Sequence, residues 1–334
     1  MDYRALGRTG VQVSPLCLGC LNFGGKTDEK TSWQVIDRAI DAGINFIDTA
    51  NIYGRGRSEE VTGGALKRNG RRDRVVLATK VHGAMDDADP NARGNSRRHI
   101  IAQCEASLRR LQTDYIDLYQ IHRPQIDVPV DETLRALDDL IHAGKVRYAG
   151  SSCFAAWELM ESLAISRELG LNRFVCEQPA YNLLDRRIER EVIPFARTHG
   201  FAVIPWSPLG GGLLTGRYRA ETRRPADAKR FAGEDGYLDS ILTDAFFERI
   251  GPFCELARAK NCTPSQLALA WCAQQPGVTS PIIGPRTMEH LEEHLQALTI
   301  TLSAEDHAEL DRLFPRGGAV SPFFDRDLSP HVYR

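Results

Sequence analysis

The sequence predicts a single (β/α)8 barrel, closed at its N-terminal end by a small hairpin. Three observations carry this expectation. Short β-rich runs alternate with helix-period segments along almost the whole chain, which implies a parallel sheet covered by helices. Runs such as Val75-Val76-Leu77-Ala78 are continuously apolar, as suits strands buried on both faces. Eight β–α units can be counted, and no glycine-rich turn follows the first strand, so a closed barrel is favoured over an open doubly wound sheet.

Taken in order, residues 3–13 read as a hairpin with turn signals at Gly7 and Thr9-Gly10, placed to plug the barrel. The first barrel strand lies near Leu16–Gly19. A helix follows, with Thr31 or Ser32 as N-cap and Gly43 at its end. Further strands are expected at Asn45–Asp48, Val75–Lys80, Ile116–His122, Val146–Ser151, Phe174–Gln178, Phe201–Trp206 and Thr279–Gly284. Amphipathic stretches occupy 58–68, 97–110, 130–142, 155–169, 187–199 and 263–275, and 287–298 reads as the last barrel helix. Residues 216–240 are polar and rich in Arg, Ala, Asp and Gly, the composition of a long functional or mobile loop. No low-complexity linker divides the chain. It therefore reads as one domain over 1–334: hairpin 1–14, barrel 15–300, and a C-terminal helix and tail 301–334.

Composition narrows the function classes. The chain is 42% hydrophobic and 26% charged, enough for a large core, with a formal net charge of −2. That balance gives no electrostatic case for nucleic acid or an anionic membrane. No apolar run approaches the roughly 20 residues of a spanning helix. Met1-Asp2-Tyr3-Arg4 lacks the layout of a secretory signal, and the eight cysteines fall largely in apolar segments, as small hydrophobes do in a reducing compartment. A cytoplasmic location is expected; oligomeric state is not legible.

Active sites of such barrels sit at the C-terminal ends of the strands. Here one strand ends in Asp48 with Tyr53 in its loop, the next in Lys80 and the next in His122. Any one of these is unremarkable, since a strand-end Asp commonly caps a turn and a lone Lys is usually solvated. Together they place a carboxylate, a phenol, an ammonium and an imidazole on one rim. The set suits proton transfer to a carbonyl oxygen. Free tyrosine titrates near pH ~10, too high for an efficient acid at neutral pH, and a nearby ammonium is expected to lower that value. Asp48 pairs with Lys80 in this reading, and His122 orients the substrate oxygen. No serine or cysteine nucleophile with an adjacent base accompanies the set. A side chain cannot supply hydride, so a nicotinamide cofactor is implied.

The same segments carry a family resemblance. Phe46-Ile47-Asp48-Thr49-Ala50 with Tyr53-Gly54 and Ser58-Glu59, Ala78-Thr79-Lys80, and Asp117-Leu118-Tyr119-Gln120-Ile121-His122-Arg123 resemble the aldo-keto reductases. So do Gly144-Lys145-Val146-Arg147-Tyr148, Glu177-Gln178-Pro179 with Tyr181-Asn182, and Trp206-Ser207-Pro208-Leu209, along nearly the full chain. The resemblance implies an Asp–Tyr–Lys–His tetrad at Asp48, Tyr53, Lys80 and His122, with Tyr53 as general acid for NADPH-dependent reduction of an aldehyde or ketone. It places Ser152 and Gln178 at the nicotinamide amide and stacks Trp206 on the ring. Cys153 stands where the family usually has Asn, a weaker hydrogen-bonding group. Gly210-Gly211-Gly212, with Ser207 and Leu209, falls where the pyrophosphate approaches backbone N–H groups. Gly284 and Arg286 precede a helix and fall at the 2′-phosphate of NADPH. Glu293 matches a position near the adenine, where His290 and His294 depart from the usual residues.

Leu21, Phe23, Ile52 and Arg123 are expected to line the substrate pocket. Arg123 either faces the cleft, which suits an anionic or hydroxylated substrate such as a keto sugar, or anchors its loop through a salt bridge. The tail residues Phe323, Phe324, His331 and Tyr333 are expected to fold over the mouth. Two further motifs are set aside. His290-Leu-Glu-Glu-His294 matches a zinc-peptidase pattern but lies on a helix where polar runs are ordinarily solvated. Cys17-Leu-Gly-Cys20 spans a strand and loop, not the helix start of a redox C-x-x-C. No metal is expected. The second function class is a cofactor-binding regulatory subunit, since barrels of this family also occur as potassium-channel partners.

Overall fold

The computed structural model describes residues 1–221, 223 and 240–320. Most of the polar segment 216–240 and the tail residues named as a lid lie outside the described residues.

The hairpin is β1 (Arg4–Ala5) and β2 (Gln12–Val13), paired antiparallel. The barrel strands are β3 (Cys17–Gly19), β4 (Phe46–Asp48), β5 (Val76–Val81), β6 (Ile116–Ile121), β7 (Val146–Ser152), β8 (Phe174–Gln178), β9 (Ala202–Val203) and β10 (Ile282–Ile283). They form one eight-stranded sheet, all neighbours parallel, in the order β10-β3-β4-β5-β6-β7-β8-β9. The ends meet through a parallel bridge between Val203 and Val278 and a hydrogen bond from Ile282 N to Pro205 O of 2.8 Å, so the sheet closes. β9 and β10 are shorter than the sequence suggests. Pro205 and Pro281 interrupt both runs, and a proline has no N–H for a ladder.

The helices are α1 (Glu29–Asp41), α2 (Arg57–Asn69), α3 (Arg97–Leu111), α4 (Val130–His142), α5 (Ala156–Leu169), α6 (Val192–His199), α7 (Asp244–Ala259), α8 (Pro264–Gln274), α9 (Met288–Gln296) and α10 (Ala304–Leu313). Three differ from expectation. The N-cap of α1 is Asp28, not Thr31 or Ser32: its carboxylate accepts from Thr31 N and Thr31 Oγ1, each at 2.9 Å, a better acceptor for the exposed N–H groups. The 187–199 stretch splits into a short turn at Arg187–Glu189 and α6, because Pro194 cannot hydrogen-bond to residue 190 and its ring crowds that carbonyl. Helix α7 was missed next to a polar loop, although Thr243 caps it and Phe246, Phe247, Ile250, Phe253 and Ala257 form its buried stripe.

Side chains alternate along each strand, and the interior shows that period. Phe46, Ala78, Leu118, Cys176, Ala202 and Ile282 form an apolar lower layer together with Leu6 and Val13 of the hairpin. The hairpin thus plugs the interior, and Arg4 fastens it by donating to the carbonyls of Ala273, Val278 and Thr279. Two residues further along the same faces come Asp48, Lys80, Gln120, Gln178 and Gly284. On β4, β5, β6 and β8 the interior changes from apolar to polar within two residues, whereas Ile204, two residues beyond Ala202, stays in the apolar layer. Cys17 belongs to the lower layer and Cys20 to the outer core between strands and helices, so the C-x-x-C pair serves packing.

Candidate active site

Asp48 and Lys80 are 3% and 0% exposed, so their charges must be balanced inside the barrel. Lys80 Nζ donates to Asp48 Oδ2 at 2.5 Å and to Thr49 O at 2.9 Å, and lies 3.4 Å from the Tyr53 hydroxyl. The other Asp48 oxygen accepts from Gln120 Nε2 at 2.9 Å and Gln178 Nε2 at 3.1 Å. Gln178 Nε2 also donates to Gln120 Oε1 at 3.0 Å. Every charge in this layer is paired and held from several strands. Gly150 makes the room: a Cβ there would sit 2.6 Å from Cys176 Sγ and 3.0 Å from Gln120 Cγ.

Gln120 was not singled out in the sequence. Its signal was the strand period, because it stands two residues before His122 on the same face and opposite Lys80 in register.

Tyr53 opens a short turn, Tyr53–Gly56, in which Gly54, Arg55 and Gly56 all have positive φ (57°, 50° and 99°). Ser58 ties the following helix to the rim, donating to Cys20 O at 2.7 Å and lying 2.8 Å from Thr49 Oγ1. Glu59, fully buried, accepts from Thr79 Oγ1 and Arg110 Nε at 2.6 Å each. The tetrad's tyrosine thus sits on a loop braced against β3, β4 and β5.

Burial raises the Tyr53 pKa, Lys80 opposes this, and the net direction is upward. This corrects the expectation that the ammonium would lower it: desolvating a phenolate costs more than one neighbouring charge returns. Tyr53 is therefore protonated at neutral pH. For Lys80, burial alone favours the neutral amine, but Asp48 and Tyr53 outweigh it and the pKa is raised. His122 is pushed well down by burial and then by Lys80, Arg123 and His82, so its imidazole is neutral. Its ring meets Tyr53 edge-on, centroids 5.7 Å apart.

From this layer a cleft of about 660 Å3 runs across the C-terminal rim toward the start of α9. That volume is within the range of small-molecule sites. Asp48, Tyr53, His122, Ser152, Gln178, Trp206, Ser207, Leu209, Gly211, Gly284, Arg286, His290, Glu293 and His294 all line it, as do Leu21 and Arg123. Phe23 and Ile52 do not. Phe23 is 2% exposed and packs in the outer core, because the 20–27 loop folds back through bonds from Phe23 N to Cys20 O and Gly24 N to Thr27 O. The Ile52 side chain lies against Gly83 instead. A larger hollow, about 800 Å3, lies at the other end beside Met1, Arg4 and Gln296, away from the tetrad.

The two ends of the cleft differ in how their polar groups are satisfied. At the far end Arg286 has no acidic partner among the described residues; its own carbonyl accepts from Thr27 Oγ1. Thr287 caps α9, accepting from His290 N. His294 is 5% exposed rather than solvated, its Nδ1 has no hydrogen-bond partner among the described residues, and burial lowers its pKa to about 4. His290 lies parallel to it one turn away, centroids 6.4 Å apart. In the middle, Gly210, Gly211 and Gly212 all take positive φ (57°, 68° and 105°), a turn glycine adopts without strain. Ser207 is held by Asn182 Nδ2 donating to its carbonyl at 3.0 Å. Cys153 also has positive φ (63°); it engages Arg123 Nη1 at 3.2 Å and the Trp206 side chain.

The fold is a (β/α)8 barrel with ionisable side chains gathered on its C-terminal rim. Residues 15–314 match the model of the aldo/keto reductase family, and the chain belongs to that family. It is 42% identical to the uncharacterized oxidoreductase YrpG of Bacillus subtilis (strain 168), over 96% of this chain and 98% of that protein. It is 37% identical to a probable voltage-gated potassium channel subunit beta of Oryza sativa subsp. japonica, over 90% and 92%. It is 35% identical to versiconal hemiacetal acetate reductase of Aspergillus parasiticus, over 92% and 95%. Among the described residues no helix is long and apolar enough to cross a membrane.

Proposed function

We propose that this protein is an NADPH-dependent reductase of aldehydes or ketones, with Tyr53 as the general acid. The observation that carries this is a protonated phenol poised 3.4 Å from a buried, carboxylate-held ammonium at the mouth of the cleft. The residues along the cleft suit the dinucleotide. Ser152 and Gln178 would hold the nicotinamide amide, and because Gln178 spends its Nε2 on Asp48 and Gln120, it offers only Oε1. Trp206 would flank the ring. Ser207, Leu209 and Gly211 would take the pyrophosphate, Gly284 and Arg286 the 2′-phosphate, and His290, Glu293 and His294 the adenosine. Among the described residues Arg286, beside a helix start, has no acidic partner and the buried His294 Nδ1 has no hydrogen-bond partner, which fits an anionic ligand with a heteroaromatic end.

When bound, NADPH supplies hydride to the carbonyl carbon. Tyr53 donates its proton to the carbonyl oxygen. Lys80 stays charged because Asp48 holds it, and so stabilises the phenolate that Tyr53 becomes. Neutral His122 can donate a hydrogen bond to the same oxygen and fix its direction. Gln120 and Gln178 donate to one Asp48 oxygen and keep the carboxylate oriented.

The test is to mix purified protein with NADPH and a panel including 4-nitrobenzaldehyde and methylglyoxal, and follow loss of NADPH absorbance. Turnover that disappears in Tyr53→Phe supports both the reaction and the acid. Turnover that survives removes Tyr53 from the role. The likeness to a protein named as a potassium channel subunit supports a second reading, a cofactor-binding subunit of a larger complex. It requires tight NADPH binding without turnover across the panel.

A further inference from the structure

Arg123 stands directly after His122 and lines the same cleft as Tyr53. The sequence left two readings open, a loop-anchoring salt bridge or a group facing the cleft. Among the described residues Arg123 has no acidic partner. One nitrogen, Nη1, is anchored, donating to His122 O at 2.9 Å and engaging Cys153 Sγ at 3.2 Å. Nε and Nη2 have no hydrogen-bond partner among the described residues. The guanidinium lies 5.8 Å from the centre of the Trp206 ring, which lines the same cleft. Its charge bears on both catalytic groups, favouring the Tyr53 phenolate and disfavouring a protonated His122.

The charge around it is not balanced locally. Asp48 is neutralised by Lys80, and Glu293 accepts from Thr263 at the far end of the cleft. Lys26 and Arg286 also line the cleft without an acidic partner among the described residues. A guanidinium pinned by one nitrogen, with two N–H edges open, is preorganised for a planar or tetrahedral oxyanion.

We propose that Arg123 is a specificity-determining residue that selects carbonyl substrates bearing a carboxylate or a phosphate group. This rests on the reductase reading for the reaction, but not for the binding of the anion. Two matched pairs test it: 4-carboxybenzaldehyde against its neutral carboxamide, and glyceraldehyde 3-phosphate against glyceraldehyde. In the native protein the anionic member of at least one pair has kcat/KM roughly tenfold or more above its neutral partner, mainly through KM. Arg123→Met brings that ratio close to one, and Arg123→Lys, which keeps the charge but not the fork, falls between. The pair that shows the ratio distinguishes carboxylate from phosphate. Calorimetric binding of benzoate and benzamide to native protein and Arg123→Met is read in parallel, with circular dichroism as the folding control. Benzoate preference that is lost in Arg123→Met supports the anion site even if no aldehyde turns over, in which case it is the reductase reading that fails. Ratios near one in both pairs, with equal binding of benzoate and benzamide, overturn the proposal. So does an Arg123→Met variant that weakens NADPH binding while leaving the anionic preference intact.

Discussion

The two ends of the cleft contrast sharply. At the tetrad, buried charges are already paired within the protein: Lys80 with Asp48, and Asp48 with Gln120 and Gln178. At the α9 end, among the described residues, Arg286 has no acidic partner and His294 Nδ1 has no hydrogen-bond partner. The first end is built to keep a fixed electrostatic state whether or not anything is bound. The second carries no such pairing among the described residues. Changes at the first end should therefore affect chemistry and stability together, and changes at the second should affect affinity first.

The largest expected effect on turnover is at Tyr53. Tyr53→Phe keeps the ring and removes the proton, and carbonyl reduction should fall by roughly 10²-fold or more, measured as kcat with a good aldehyde. Binding of NADPH, followed by fluorescence, should change little; a large loss there would mean that the two ends are not separable. Next comes Lys80→Met, which leaves Asp48 buried without its cation. Removing one partner of a buried pair costs about 3–5 kcal/mol, so denaturant unfolding should show a much earlier midpoint along with lost turnover. A variant as stable as the native protein would show that the tetrad layer is not self-contained.

At the open end, Arg286→Ala should weaken NADPH roughly tenfold or more while NADH changes far less, measured as two dissociation constants. Equal losses would remove the 2′-phosphate assignment. A further effect concerns acid. The folded His294 has its pKa lowered from 6.5 to about 4, so the unfolded chain takes up a proton first as the pH falls. Stability from this residue is present above pH 6.5 and is lost progressively toward about 4. His294→Asn should remove on the order of 2–3 kcal/mol of that acid sensitivity, seen as a flatter stability profile between pH 7 and 4. An unchanged profile would place the acid-sensitive group elsewhere.

Much of this was legible in the residues themselves. The alternation of apolar runs and helix-period segments gave the barrel, and Asp48, Lys80 and His122 at strand ends gave the rim, because strand direction sends those positions to one face. Gly7 and Thr9-Gly10 gave the hairpin, and the amphipathic stretch 263–275 gave α8. These are local signals, set by backbone preferences and by the two-residue period of a strand. What the tertiary structure alone decided depends on neighbours far away in sequence. It turned Gln120 and Gln178 onto Asp48, folded Phe23 into the core and Ile52 against Gly83, buried His294, and left Arg123 without a carboxylate partner among the described residues. It also set the net direction of the Tyr53 pKa, where burial outweighs Lys80. Desolvation is a sum over everything packed around a group, so a spacing of residues can name a proton donor but not fix the pH at which it holds its proton.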